Sequence, residues 1–356
     1  VTMREDAEAL SFMASGPRGW YPQTLGDKSK MAIFETDTWT YSQNYTRTPD
    51  FADTAVLMGG LWGDTVGGDL DGIISLDPVT LSYMLEVAGP VTVRGEDTKI
   101  TADNAVKTLL SDSYERFGGD GKLADAYFAG VSAAVFSKVM SGGWDPLAML
   151  EQLQKATDEQ RVYAWFADPA EEAMATELGI DGSVLASNED ETQVGVYLND
   201  SSHSKLEYYL SNKITVTCSA EKRTVTTAIA MTNSVPTADL STYTLGARNT
   251  SWGYPRTTMF LDVIGTALPG GSLTSTSPAA GDRDGWDRSG VYNERETRSL
   301  FVTVPMGESR TVSFTSTVPD GAAAALDVRY SPTVTQTPVT VDASCEPLFP
   351  GSTTAE

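Results

Sequence analysis

The chain has 356 residues, 40% of them hydrophobic, with 48 acidic against 25 basic side chains and a formal net charge of −23. It is long enough for two domains with sizeable cores, too apolar for a disordered polymer, and acidic enough to repel a phosphate backbone, which excludes nucleic acid as a partner. No uninterrupted apolar run of about 18 residues occurs, so no membrane span is expected within it.

In chain order, Val1-Thr2-Met3 reads as the inside of a strand, and sequence upstream of it is expected. Asp50-Phe51-Ala52-Asp53 followed by Ala55 to Met58 reads as a capped helix start, with the Asp50 carboxylate accepting from the amide at Asp53. The run Asp71-Gly72-Ile73-Ile74-Ser75-Leu76-Asp77-Pro78 reads as a short buried strand over 72–76 with an acid at each end. Pro78 then opens a helix that Gly89-Pro90 ends.

A hairpin is expected over 91–100, a helix capped by Thr101 running to about Arg116, a second from about Lys122 to Met140, and a third opened by Asp145-Pro146. Periodicity leaves 161–166 open between strand and helix. A strand follows at 193–198. From about residue 205 the alternating runs 214–218, 225–231, 259–264, 300–304, 312–318 and 326–330 follow one another with turn-rich segments between them, the pattern of a β-sandwich. Residues 346–356 read as a linker or tail. The expected organisation is therefore an α/β domain over 1–204 and an all-β sandwich over 205–345.

The single histidine, His203, rules out a site with two histidine ligands. It would place any Ser-His-Asp triad in the polar stretch 200–204, where an exposed loop histidine is the plainer reading. Two cysteines without a Cys-x-x-Cys spacing exclude a zinc ribbon. Cys218 and Cys345 either close a long loop through one disulfide, about 4–5 kcal/mol by chain entropy, or stay separate buried thiols. The lysine-poor, Thr/Ser/Gly/Asp-rich composition reads as exported and favours the disulfide.

Several short motifs occur in a recognisable order: Thr48-Pro49-Asp50-Phe51, the run 71–78, Glu86-Val87-Ala88-Gly89-Pro90-Val91, and Thr101-Ala102-Asp103-Asn104. Val196 to Asp200, Ser204 to Leu210 and Pro305 to Val312 continue the series. The chain thereby resembles the actinobacterial membrane-anchored family known as domain of unknown function 4012, related to the LytR-CpsA-Psr cell-envelope transferases. The resemblance implies a LytR-CpsA-Psr-like mixed sheet with helices, followed by an immunoglobulin-like sandwich. It also implies a cell-surface location, an anchoring membrane helix upstream, and a cell-wall polysaccharide or glycolipid as partner.

Asp50, Asp77 and Asp200 are the candidate catalytic acids. Paired carboxylates can act as acid and base on a glycoside or hold a metal ion. Asp50 and Asp77 have helix-capping readings as well. Asp71 and Asp77, about 20 Å apart along a strand, cannot both touch one sugar atom, and Asp77 is preferred because open α/β sheets bind ligands at strand C-termini. Asn199, Lys205, Tyr209, Trp39 and Trp62 are candidate glycan-binding residues, by hydrogen bonding and stacking. Core packing for each tryptophan and a plain connecting loop at 199–209 are the alternatives.

No protein-held metal site is expected, and no cofactor is assigned; Mg²⁺ would enter with a pyrophosphate substrate. Arg47 alone lies near residues 50–80, short of the arginines that such transferases use on pyrophosphate. The expected function is glycosyl or glycosyl-phosphoryl transfer on envelope glycan, arabinan among the candidates. The alternative is a non-catalytic surface scaffold or assembly protein.

Overall fold

A computed structural model describes residues 28–189, 191–246, 248–322 and 325–352. The expected strand at Val1-Thr2-Met3 lies outside these. By its contacts the described chain divides into two compact units, one of residues 36–183 with 240–244 and one of residues 28–35, 184–239 and 245–352. The expected boundary at 204/205 falls instead at Ser183–Val184, because the strand after it pairs within the β-rich unit.

The first unit is built from helices and one two-stranded sheet. Helix α1 (Lys28–Thr40) enters it, a 3-10 turn Ser42–Arg47 follows, and α2 (Phe51–Thr65) starts at Asp50, whose Oδ1 accepts from the amide of Ala52 at 3.0 Å rather than from Asp53. Strand β1 (Gly72–Leu76) leads into α3 (Pro78–Ala88), capped by Asp77 at one end and closed by Gly89 at φ +84°.

The expected hairpin at 91–100 reduces to one antiparallel bridge, Val91 to Ile100, held by two amide–carbonyl bonds of 2.9 Å. Helix α4 (Ala102–Lys107) carries a capping box of Thr101 and Asn104. It continues through a π turn into α5 (Ser113–Phe117). Helices α6 (Gly121–Met140) and α7 (Pro146–Asp158) follow, then β2 (Val162–Phe166) and α8 (Pro169–Glu177).

Strand β2 resolves the segment left open by periodicity. It runs antiparallel to β1, Gly72 opposite Phe166 and Leu76 opposite Val162. Strand β1 is not the buried strand expected: Ile74 is 62% exposed and Leu76 38%. Ile74 and Leu76, two residues apart, share one face of the strand, and that face is left open.

One core of this unit gathers Leu85, Val91, Ile100, Ala105, Val131 and Val135. Helix α6, which supplies the last two, is the one helix among the described residues long and apolar enough to cross a membrane by length and composition. The expectation concerned uninterrupted apolar runs, and α6 is broken by Lys122, Asp125 and Lys138; its alanines, valines and phenylalanines supply its mean hydropathy.

The second unit is largely β. Strands β3 (Thr192–Asp200), β4 (Leu210–Ser219), β5 (Thr224–Asn233), β6 (Met259–Thr266), β7 (Leu273–Ser277), β8 (Arg288–Tyr292), β9 (Arg295–Val304), β10 (Ser309–Thr317), β11 (Leu326–Tyr330) and β12 (Val339–Val341) form two mixed sheets. Their orders are β12-β4-β5-β10-β7 and β11-β3-β6-β9-β8. All pairings are antiparallel except β11 with β3 and β12 with β4.

The two sheets approach closely where Gly265 of β6 meets Phe314 of β10. A Cβ on Gly265 would lie 2.2 Å from the Phe314 ring, so this position is restricted to glycine by packing. Cys218 and Cys345 are joined by a disulfide spanning 127 residues, with Cα atoms 4.7 Å apart. The expected tail does not behave as a linker over 346–352. Phe349 is fully buried, and the Ser352 hydroxyl accepts from the amide of Leu326 at 3.0 Å.

Candidate functional site

The β1–α3 junction assembles a charged cluster that no local sequence pattern announces. Asp77 follows β1 directly. Its Oδ1 accepts from the Thr80 amide at 2.7 Å and from the Thr80 hydroxyl at 2.9 Å, which satisfies the start of α3. Its Oδ2 receives Nη1 of Arg161 at 2.8 Å. Arg161 precedes β2, and the antiparallel register that sets Val162 opposite Leu76 brings it beside Asp77.

The Arg161 side chain is 1% exposed, and its Nε donates to Glu159 Oε2 at 2.6 Å. Tyr83, one turn along α3, donates its hydroxyl to both Glu159 oxygens at 3.1 and 3.0 Å, and the Lys155 ammonium stands 3.7 Å from the Tyr83 ring centre. Burial pulls the Arg161 guanidinium down, but Glu159 and Asp77 more than offset this and hold it above its ordinary value. Burial and the Glu159 carboxylate push the Tyr83 phenol up to about 12. The cluster is thus charge-paired internally; Lys155 is exposed at its rim, and the Asp77 side chain keeps 31% of its surface open.

Asp50 and Asp77 cap different helices, α2 and α3. Asp50 is buried at 8% exposure, and Asp53 beside it at 6%. Phe51, the first residue of α2, donates its amide to the Gly182 carbonyl at 3.1 Å and stacks on Tyr163 of β2 with ring centres 5.7 Å apart. Asp71, at the other end of β1, is exposed. Trp39 is 2% exposed, so it belongs to the core rather than to a glycan groove. Trp62, on α2, is half-buried, and its carbonyl accepts from Val66 at 2.8 Å.

The third candidate acid lies in the β-rich unit. Asp200 ends β3, and the turn after it folds around its carboxylate: Oδ1 accepts from the Ser202 amide at 3.0 Å and from the Ser202 hydroxyl, and Oδ2 from the Ser204 amide at 3.3 Å. The exposed His203 takes φ +55° at the crown of this turn.

A 3-10 turn, Leu206–Tyr209, follows and carries Glu207, a residue not singled out in the sequence, back to Asp200. Desolvation first, then the Asp200 charge and hydrogen bond, push the Glu207 carboxyl up to about 8, while Lys205 pulls it down. Glu207 keeps surface in contact with solvent, so the neighbouring Asp200 charge is the cause that carries weight here. Asn199, Lys205 and Tyr209 are half-buried along the same stretch, and the Tyr209 ring meets Tyr208 edge-on at 5.0 Å. The structure therefore brings Asp200, Lys205 and Glu207 together.

The disulfide, the β1–α3 junction and the capped start of α2 now stand beside the motifs quoted above. Residues 1–114 match the family model described as protein of unknown function (DUF4012). This stretch contains Thr48 to Phe51, the run 71–78 and the Thr101–Asn104 capping box. The later motifs at 196–210 and 305–312, and with them Arg161, Asp200 and Glu207, lie outside it. No curated protein and no solved structure matches the chain.

Among the described residues no group of three or more His, Cys, Asp or Glu side chains is arranged to hold a metal ion.

Proposed function

We propose that this chain is an exported cell-envelope protein that works by assembly and recognition of envelope glycan rather than by catalysis. The observation that carries this reading is the state of Asp77. Its two oxygens serve the helix cap and the buried Arg161, so the acid best placed for chemistry is a structural element of the junction.

The exposed apolar side chains of the first unit add support, with Leu147 at 72%, Met140 at 66%, Leu178 at 64% and Leu150 at 61%. Such side chains mark contact surfaces when they cluster. The Cys218–Cys345 bond suits an oxidising compartment outside the cytoplasm. A LytR-CpsA-Psr-like first domain and an immunoglobulin-like second one, with a membrane anchor upstream, complete the proposal. Cell-wall polysaccharide or a glycolipid is its partner.

One experiment tests it. The chain is spun down with insoluble arabinogalactan-bearing cell wall, and the supernatant is read by mass spectrometry. Recognition alone puts protein in the pellet and leaves the glycan profile unchanged. A new glycan product, or protein that stays in solution, overturns the reading.

A second reading, glycosyl or glycosyl-phosphoryl transfer, is favoured by the Asp200–Glu207 contact. A carboxyl that keeps its proton near neutral pH beside a hydrogen-bonded carboxylate is an acid–base pair. Asp200 acts on Glu207 through its charge and a side-chain hydrogen bond, so the two carboxyls would share one proton and activate a hydroxyl. Under this reading Glu207→Gln abolishes product formation, and activity declines as pH rises through about 8. Unchanged product formation by that variant rejects it.

A further inference from the structure

Strand β1 pairs with β2 and with no other strand, so its outer edge offers a row of amide and carbonyl groups with no ladder partner among the described residues. Every other edge strand of the described residues carries a device against further pairing. On β2 the Ala164 amide donates to the Ile180 carbonyl at 2.7 Å and the Phe166 amide to a Glu172 carboxylate oxygen at 2.7 Å. Strand β7 has a register shift against β10 and ends at Pro278. Strand β8 donates the Val291 amide to the Ser29 hydroxyl at 2.6 Å, and Arg288 donates to the Ile33 carbonyl at 2.8 Å. Strand β11 carries the ion pair of Arg329 with Asp327, and β12 is three residues long.

Strand β1 has none of these. Gly-Ile-Ile-Ser-Leu holds no lysine, proline or bulge, and it presents Ile74 at 62% and Leu76 at 38% exposure. An edge of this kind is a template for another strand.

We propose that the outer edge of β1 takes an extended polypeptide segment of another protein as a third strand, one with alternating apolar residues and a Lys or Arg at each end. The chemistry of the ends selects this occupant. Asp69 and Asp71 stand exposed before the strand, and the Asp77 side chain is 31% exposed after it. The edge therefore reads acid, apolar, acid over a length of about 20 Å. A second copy of β1 is disfavoured: antiparallel pairing centred on Ile74 would set Asp71 of each strand beside Asp77 of the other. Main-chain bonds would supply affinity, and the flanking charges orientation. The proposal goes beyond the assembly role above and stands whether or not a glycan is bound or altered.

The test is fluorescence anisotropy of the full chain with a labelled Lys-Val-Thr-Val-Thr-Val-Lys peptide. Three comparisons accompany it: the same peptide N-methylated at alternate residues in either phase, a Glu-flanked peptide, and the variants Ile74→Lys and Asp71→Asn, with circular dichroism verifying the fold of each. Saturable binding is expected, weakened about tenfold or more by N-methylation in one phase and by Ile74→Lys. It weakens about fivefold with glutamate flanks, and less with Asp71→Asn. Absence of saturable binding, or equal binding of the N-methylated peptides, overturns the proposal. So does a dimer in sedimentation velocity that Ile74→Lys dissolves, which would make the occupant a second copy.

Discussion

Arg161 donates from Nη1 to Asp77 Oδ2 across 2.8 Å, tying the residue just before β2 to the residue just after β1. The same guanidinium holds Glu159, whose residue is 5% exposed. Removing Arg161 therefore strands one buried carboxylate and one half-exposed one. Arg161→Met is expected to destabilise the chain by about 3–5 kcal/mol, the range for breaking a buried pair by deleting one partner. Asp77→Asn should cost about 1 kcal/mol, because asparagine keeps an acceptor for Thr80 and the lost ion pair is partly solvated. Combining Arg161→Met with Glu159→Leu should cost less than the sum of the two single changes. Thermal unfolding of the parent, the three single variants and the double variant checks this.

Tyr83 links the same cluster to alkaline pH. Its phenol is held up to about 12, while an unfolded tyrosine titrates near 10. The folded state thus binds a proton that the unfolded state releases, so the contribution is complete below pH of about 10 and is lost as pH rises toward 12. The stability of the parent protein minus that of Tyr83→Phe should fall over this window and stay level below it. Unfolding midpoints from pH 8 to 12 decide it, and a flat difference refutes the assignment.

How far the sequence disclosed this fold depends on the range of the interaction. Strand β1, helix α3 and their caps are readable because Asp77, Pro78 and Gly89 act within a few residues of themselves; β4, β5 and β10 alternate because one face is buried, while β6 is buried on both faces and shows instead as an apolar run. Arg161 was invisible as the partner of Asp77 because it lies 84 positions away and only the β1–β2 register joins them. Strands β7 and β8 carry no apolar rhythm because Thr, Ser, Arg and Gly fill them, and β12, Val-Thr-Val, is too short for its alternation to stand out. Glu207 was missed for a similar reason: its approach to Asp200 comes from a turn closed by serine hydroxyls, which no periodicity records. For Trp39 the polar neighbours in sequence leave groove and core open, because its burial depends on which face of α1 is covered.

The disulfide gives a prediction confined to the β-rich unit. Cys345 is fully buried beside β4 and is the last residue of the 3-10 turn Ala343–Cys345. A link spanning 127 residues restricts the unfolded chain strongly. Cys218→Ser with Cys345→Ser should lower stability by about 4–5 kcal/mol. Urea unfolding of the oxidised protein, the reduced protein and the double variant checks it; coincident curves would mean that the link contributes nothing.

Arg295 supplies the last case, a fully buried guanidinium whose bonds go to neutral groups. Its Nε donates to the Ala267 carbonyl at 2.7 Å, Nη2 to the Gln193 carbonyl at 2.7 Å, and Nη1 to Gln193 Oε1 at 3.0 Å. Burial pulls it down to about 10, with Tyr197 and Asp327 acting in the opposite sense. The planar fork reaches the ends of β3 and β6 at once, which a lysine ammonium cannot reproduce. Arg295→Lys should therefore cost about 2–3 kcal/mol through carbonyls left without donors, although it keeps the charge. Arg295→Met should cost about as much, since it loses the same bonds and no longer buries a cation. Hydrogen exchange should show faster opening at Gln193 and Ala267 in both variants. A stability loss in Arg295→Met with Arg295→Lys unchanged would instead place the effect in the charge and not in the geometry of the fork.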